Sequence, residues 1–501
     1  MPRFLSAICA GLVLCATLAS AVQNVKVQGA NFVNNVTSNR FQIIGVACVA
    51  QVIPAWKIII TDIPSSYQPG GSDAFSATSD TDPLSNGTSC LRDAALMQQL
   101  GINTIRVYNV DPTLNHDLCA SIFNAVGIYM FIDVNSPLPL QSLDPGNLVT
   151  SYSSTYLNHI FSVVEAFGPY PNTLAFISAN EVMNTVATGQ TAPPYLRAVT
   201  RDLKNYISNH LNRSIPVGYS AADVSQILTD SWTYLSCDIN GQSSDPSRSD
   251  FFGLNSYSWC GPTSLTANYD ASGYNTIIST FGNTSIPVFF SEYGCNRVEP
   301  RVFDEVPVLY GNMTSVMSGG LVYEYYEEDN NYGLVWIYDN GTAQLRNDYN
   351  ALQTQYNTLD VKSLESMDSS ATSVQSQKCS SSLISSSGFN TSFTLPAVPS
   401  GGQTLIDNGI SNPNQGKLVS VTTTAVADTV YDANGNIIKN LAIKPLADDE
   451  SNTPDGSNTT GQSSSTTAAI PSPTKKGAAG RKKIGAHGLV GLMALSFFFQ
   501  F

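Results

Sequence analysis

The 501-residue chain is predicted to be an α/β protein, a (β/α)8 TIM barrel followed by a Ser/Thr-rich low-complexity tail. Three observations predict this. Between Phe41 and about Glu327, short β-branched runs alternate eight times with longer stretches of helical periodicity, the count that a closed eight-stranded barrel requires. The ends of those runs are unusually polar, as expected where a barrel carries its chemistry. No glycine-rich phosphate turn follows the first run, although the alternative, a doubly wound open sheet, would want one.

The strands are expected at Phe41–Ala47, Thr104–Val110, Tyr129–Val134, Thr173–Ala179, Ile215–Tyr219, Phe251–Ser256, Ile286–Ser291 and Gly319–Tyr325. Helices between them include Leu91–Leu100, Tyr156–Phe167 and Tyr195–Leu211. In the last of these, Leu196, Val199, Leu203 and Ile207 recur at spacings of three and four, which sets one apolar stripe against the barrel.

Residues 1–21 read as a signal peptide. Met1-Pro2-Arg3 precedes an apolar run from Phe4 to Leu18, and Ala19-Ser20-Ala21 supplies the small residues of a cleavage site, so the mature chain starts near Val22. A membrane anchor is the alternative, but the run falls short of the roughly 20 apolar residues of a span. At the other end Gly488–Phe501 is again apolar, behind the basic spacer Gly480–Lys483 and the small residues Gly477–Ala479, which is the order of a GPI-attachment signal. Residues 481–501 would then be removed, and 447–480 would form a linker with the attachment site between Ser472 and Gly480. That places the protein at the cell surface, held to the plasma membrane or the cell wall. A frayed apolar terminus is the alternative.

Eight glycosylation sequons, at Asn35, Asn86, Asn212, Asn283, Asn312, Asn340, Asn390 and Asn458, fit secretion. The 38 acidic and 24 basic side chains give a net charge of −14, which argues against nucleic acid, whose phosphates need a basic footprint. A neutral ligand suits that sign. No CxxC spacing or histidine cluster suggests a metal, and no cofactor is expected. His116 and His159 fall on helix-like segments and are expected at the solvated surface.

Residues 22–350 form the expected catalytic domain. Beyond Asn350 the composition turns to Ser, Thr, Gly and Asn, densest at Ser369–Ser387 and Asn452–Pro473. Such stretches bury too little apolar surface to fold and are expected to be solvated linkers. Residues 351–403 are therefore read as a Ser-rich linker. Residues 404–446 keep modest alternation and are read as a small accessory segment with some β structure and no activity.

Two carboxylates stand out. The fourth strand ends in Ser178-Ala179-Asn180-Glu181 and the seventh in Ser291-Glu292-Tyr293-Gly294-Cys295. Strands four and seven face each other across an eight-stranded barrel, so Glu181 and Glu292 can converge on one bond. Glycosidic cleavage needs such a pair, one carboxylic acid to protonate the leaving oxygen and one carboxylate to attack the anomeric carbon. Each alone could equally cap the helix that follows it; both at these two strands make catalysis the better reading.

Asn-Glu ending strand four and Glu ending strand seven resemble the large clan of retaining (β/α)8 glycosidases. Within it, Arg106-Val107-Tyr108-Asn109-Val110-Asp111-Pro112, Ser291-Glu292-Tyr293-Gly294-Cys295 and Tyr332-Gly333-Leu334-Val335 resemble the fungal β-1,3-glucanosyltransferases of glycoside hydrolase family 72, over roughly Val25–Cys379. The resemblance implies Glu181 as acid/base and Glu292 as nucleophile. It further implies that Asn180 holds a sugar 2-hydroxyl and that Tyr108, Asp133 and Tyr257 orient the nucleophile and bind glucose hydroxyls. On strand eight, Tyr323-Glu324-Tyr325 supplies an aromatic; alternation leaves the choice open, and Tyr325 is preferred. A ring of tyrosines at strand ends suits a sugar, since each offers an apolar face and a hydroxyl.

The implied reaction is transglycosylation, in which an internal β-1,3 bond is cut and the new reducing end is passed through an ester on Glu292 to the non-reducing end of an acceptor glucan. An endo-β-glucan hydrolase would use the same residues, and a non-catalytic wall-binding protein on a decayed barrel is a third reading. The resemblance also pairs Cys90 with Cys119, Cys237 with Cys379, and Cys260 with Cys295. Only Cys379 follows Cys295, so no cysteine-rich carbohydrate-binding module is expected.

One segment departs from the family pattern. Gly45-Val46-Ala47 and Tyr67-Gln68-Pro69-Gly70-Gly71 are separated by the 19 residues Cys48–Ser66, which contain the apolar run Ile58-Ile59-Ile60 and the odd cysteine of the mature chain. We read residues 48–66 as the translation of a retained intron or as a gene-model error, with a genuine insertion as the alternative.

Overall fold

The computed structural model describes residues 22–48 and 82–463, apart from short stretches at 242–243, 265–266, 329, 339, 370–373, 448–449, 451 and 453–459. The signal peptide, the GPI signal and the insertion beyond Cys48 lie outside the described residues.

An antiparallel hairpin, β1 (Val25–Gln28) and β2 (Asn31–Asn34), opens the fold. Eight parallel strands follow: β3 (Ile43–Cys48), β4 (Thr104–Val107), β5 (Tyr129–Asp133), β6 (Thr173–Asn180), β7 (Val217–Ala222), β8 (Phe252–Ser256), β9 (Val288–Tyr293) and β10 (Met317–Val322). They form a closed barrel in which β10 returns to pair with β3. Each matches one predicted run, with ends displaced by a few residues. In the eighth the ladder stops at Val322, three residues before the predicted end.

Two layers fill the barrel. At the floor, Phe32 from the hairpin packs 5.9 Å from the rings of Phe131, Phe251 and Phe289, so the hairpin plugs the N-terminal ends of the strands. Above this apolar layer the buried side chains turn polar: Arg106, Ser220, Asn255 and Ser291 are all at most 3% exposed. Glycine is required at two points. A Cβ on Gly253 would lie 2.5 Å from Ser291 Oγ, inside the polar layer, and one on Gly319 (φ +86°) would lie 2.1 Å from Ile43 O, where the barrel closes.

Helices cover the outside. The first runs Gly87–Leu100, starting earlier than its apolar stripe because Asn86 caps it, accepting from the amides of Thr88 and Ser89. Others span Asp117–Ala125, Ser154–Phe167, Pro193–His210, Leu228–Ser236 and Tyr274–Phe281. His116, expected at the surface, is buried instead: its Nε2 lies 2.8 Å from Asp82 Oδ2 and its ring rests 4.5 Å from that of Phe167. Among the described residues no helix is long and apolar enough to cross a membrane.

The serine-rich stretch expected to be a solvated linker lies, in its described part, against the barrel. From Cys379, joined to Cys237, the chain runs back past the helices in reverse order. The amides of Ser385 and Ser386 donate to Asp230, and Phe393 stacks 4.5 Å from Tyr234. A helix at Gly402–Asn408 then crosses Pro193–His210, where Asn209 Nδ2 donates to Ile406 O. Lys417 N and Val419 N bond Asp117 and Ser121 of the second helix, and Lys444 exchanges two hydrogen bonds with the buried amide of Gln98 in the first. Three of the strands that follow the barrel, β11 (Val335–Ile337), β12 (Ala343–Leu345) and, from this belt, β13 (Val430–Tyr431), form one small sheet. These hydrogen bonds and single apolar side chains set into the core, among them Phe389, Ile406, Leu441 and Ile443, hold the belt; the apolar positions are spaced irregularly along the chain, which is why composition alone reads it as solvated.

Disulfides also join Cys90 to Cys119 and Cys260 to Cys295, and Cys48 is a buried free thiol. The Cys237–Cys379 bond closes a loop of 142 residues. Cys379→Ser is therefore expected to lower stability by about 2–5 kcal/mol and to expose residues 380–450 to limited proteolysis. An unchanged melting temperature and an intact belt under protease would show that the hydrogen bonds alone suffice.

Candidate active site

Arg106 on β4 is the centre of the site. It is wholly buried, with Nε and Nη2 on the two oxygens of Asp133 at 2.9 and 2.8 Å and Nη1 on Glu292 Oε1 at 3.1 Å. Burial works against its charge, but Asp133, Tyr108 and Glu292 more than offset this and its pKa is raised. The bidentate fork fixes β4 to β5 and leaves the third nitrogen for the carboxylate on β9.

Glu292 receives two further donors, Tyr108 OH at 2.9 Å on Oε1 and Tyr257 OH at 2.6 Å on Oε2. Burial pushes its carboxyl up, opposed by the Arg106 charge and by the hydrogen bonds from Tyr257 and Tyr108. The guanidinium also lies 4.3 Å from the centre of the Tyr108 ring.

Glu181 follows β6 directly, in the left-handed region at φ +51°, with its amide bonded to Ser220 O at 2.9 Å. Such a conformation costs a non-glycine residue roughly 1–3 kcal/mol and persists where the surroundings impose it. Its carboxylate accepts from Asn255 Nδ2 at 2.8 Å, and the same amide reaches Asn180 Oδ1 at 3.1 Å. The Asn255 carbonyl is held in turn by Ser220 and Ser291 at 3.0 and 2.8 Å. Burial, and then the charge of Glu292, push the Glu181 carboxyl up to about 7, against the Asn255 hydrogen bond and Arg106. Two carboxyls one hydrogen-bonded layer apart thus differ in kind, one set among three donors and one lifted toward neutrality.

Tyrosines wall the mouth beside Glu292. Tyr323 packs edge-on against Tyr108, Tyr257 and Tyr332 with centroids 6.3, 6.1 and 5.3 Å away. Tyr325, the residue preferred from the sequence, is elsewhere: it is fully buried and its hydroxyl points to Asp93 on the first helix. The chain leaves the ladder after Val322, so alternation no longer applies, and Tyr323 takes the place over the cleft. Among the described residues no cluster of His, Cys, Asp or Glu is arranged to hold a metal ion.

Residues 14–360 match the profile of glycoside hydrolase family 72, the glucanosyltransferases. The chain belongs to that family. It is 51% identical over 455 residues to 1,3-beta-glucanosyltransferase gel2 of Aspergillus fumigatus, covering 90% of this chain and 88% of that protein. To the probable 1,3-beta-glucanosyltransferase GAS3 of Saccharomyces cerevisiae it is 46% identical, covering 71% of this chain and 68% of that one. Among solved structures, Saccharomyces cerevisiae Gas2p in complex with laminaripentaose superposes with a TM-score of 0.64 at 33% identity, over 76% of this chain and 78% of that one.

In this family 72 barrel, sequence reasoning gave no role to Arg106, Asn255 or Arg301, and it ranked Tyr323 below Tyr325. The first two carry a signal, since each is a strongly polar residue inside a fully buried strand. Arg301 carries none, because it lies in a loop. Its Nη1 binds Tyr323 O at 2.6 Å and Gly294 O at 3.2 Å, its Nη2 binds Tyr332 O, and Asp348 pairs with its Nε at 2.7 Å. One buried cation therefore fixes the backbone under both outer tyrosines to the end of the Glu292 strand.

A hydrogen bond to a charged group is worth about 1.5–3 kcal/mol. Tyr257→Phe is expected to lower kcat/KM roughly 10- to 100-fold and to move the acid limb of the pH profile upward, because Glu292 loses a donor to its ionised form. An acid limb that stays in place would remove Tyr257 from the set that controls Glu292.

Proposed function

We propose that this protein is a retaining 1,3-β-glucanosyltransferase that remodels cell-wall glucan, with Glu181 as acid/base and Glu292 as nucleophile. The observation that carries the reading is the inequality of the two carboxyls. Glu292 accepts from Arg106, Tyr108 and Tyr257, all of which favour its ionised form, whereas Glu181 accepts from Asn255; burial raises both carboxyls, and the charge of Glu292 adds to the rise at Glu181. Membership of the family and the activity of the A. fumigatus relative support it.

The steps follow from the geometry. Glu181 gives its proton to the bridging oxygen as the C1–O bond breaks, and a Glu292 oxygen bonds to C1 from the opposite side. The reducing-end fragment leaves; the other fragment is held as an ester. Glu181, now a carboxylate, takes the proton from the terminal hydroxyl of an acceptor glucan, whose oxygen displaces Glu292. One β-1,3 bond is broken and one formed, with two inversions and so net retention. Asn180 receives the sugar 2-hydroxyl, and Tyr108, Tyr257, Tyr323 and Tyr332 offer ring faces and hydroxyls to the glucosyl units on either side. Asp133 holds Arg106 and lines the cleft beside Asn180 and Glu181, where it is also placed to meet glucose hydroxyls.

Feeding the enzyme one defined laminari-oligosaccharide is expected to give products longer than the donor; only shortened chains would make it a hydrolase. The assay belongs on two forms of the protein, with residues 48–66 present and removed, since we read that segment as aberrant and Ala47 would then join Tyr67. Loss of activity on removal would mark it as a working part. In the active form, Glu181→Gln is expected to lower kcat by roughly 10²–10⁴-fold and to abolish the fall in kcat/KM above about pH 7, where wild-type Glu181 gives up its proton. The raised value means the folded state holds this proton more tightly than the unfolded one, so stability falls as pH rises from about 4.5 through 7. The Gln variant should therefore gain in melting temperature over wild type at pH 8 and not at pH 4.

At the cell surface, a GPI tether rests on the order of small residues, basic spacer and apolar end in residues 477–501. A phospholipase specific for phosphatidylinositol should release active enzyme from membranes. Retention after complete digestion would exclude a simple GPI tether.

A further inference from the structure

Outside the cleft, the exposed large apolar side chains of the described residues are aliphatic and scattered, with one exception. Trp336 and Tyr338 are 46% and 42% exposed and stand beside each other, ring centroids 6.2 Å apart and planes 45° apart. Trp336 lies in β11 and Tyr338 follows its last residue. Nothing in the reaction described above uses them.

We propose that this pair is an outer glucan-binding platform, which grips the polysaccharide beyond the catalytic cleft. The proposal rests on the glucan reading of the site.

Three features of the hairpin favour that occupant. First, the platform is rigid before anything binds. Tyr338 OH donates to Gln344 Oε1 on β12 at 2.7 Å, and the turn is closed by Gly341 N on Tyr338 O and Tyr338 N on Thr342 O, at 2.9 and 2.8 Å. From behind, buried Arg92 holds Gly341 O at 3.0 Å. A surface already fixed loses little conformational freedom on binding. Second, its chemistry suits a pyranose, with two flat apolar faces for the C–H side of the ring and the Gln344 amide beside them for hydroxyls. A chain of net charge −14 presents no obstacle to a neutral polymer. Third, a short stretch of chain ties the platform to the catalytic wall. Tyr332 packs against Tyr257 and Tyr323, and Trp336 is four residues further on, at most about 14 Å along an extended chain. A polymer of several glucosyl units can cover both at once, whereas a short oligosaccharide fills the cleft alone.

The test is chain-length dependence. Wild type and the Trp336→Ala/Tyr338→Ala double variant are assayed as donors' enzymes on a short laminari-oligosaccharide and on polymeric laminarin. The expected result is an unchanged kcat and KM on the short substrate with a KM for laminarin raised roughly tenfold, the equivalent of one lost stacking contact. Equal length dependence in the two proteins overturns the platform while leaving the glucan reading intact. A parent enzyme inactive on both substrates, with residues 48–66 present and with them removed, overturns the glucan reading itself. Because the sequon Asn340-Gly341-Thr342 lies at the hairpin tip, the comparison is repeated in an Asn340→Gln background. A length effect that disappears there assigns the rings to the protein's own glycan and overturns the proposal.

Discussion

The site depends on a buried guanidinium. Taking Arg106 out of water costs several kcal/mol unless its hydrogen bonds are well made, and the two oxygens of Asp133 together with Glu292 make them. That requirement orders much else. It demands a polar layer above the phenylalanine floor, and it sets the carboxylate of β9 where a tyrosine from β4 and another following β8 can also reach it. It also separates the two glutamates. Glu292 lies in direct contact with the cation, Glu181 does not, and the nearer carboxylate then becomes the charge that lifts the farther one.

A second buried cation organises the outer cleft in the same manner. Asp348 holds the Nε of Arg301, and its Nη1 and Nη2 bind backbone carbonyls, so what it fixes is the path of the chain beneath Tyr323 and Tyr332. The inner arginine controls charge and the outer one controls shape.

The barrel was legible because its strands are short β-branched runs separated by helical stripes, and the glutamates stood out as a pair because they end two strands that face each other across it. The finer site was less so. Choosing Tyr325 over Tyr323 failed because alternation holds only while the ladder lasts, and it ends at Val322. Arg106 and Asn255 were readable in principle as polar residues in buried strands, yet which neighbours they would satisfy depends on strands distant in sequence. His116 reads as a surface residue on its helix, while its partner Asp82 lies 34 positions away. The belt is the extreme case, since its contacts are single hydrogen bonds and irregularly spaced apolar side chains on the backs of successive helices, which leave no periodic trace.

Late in its course the belt returns to the barrel's base. The Asn452 amide is buried, donating to Ile102 O and Val126 O at 3.0 and 2.6 Å and accepting from Gln98. Ile102 lies two residues before β4, at the end of the barrel away from the catalytic mouth. The consequence is one of polarity: Leu446 and Glu450 line one cavity with Val22 and Gln23, so the belt brings the chain back to the end of the barrel where it set out.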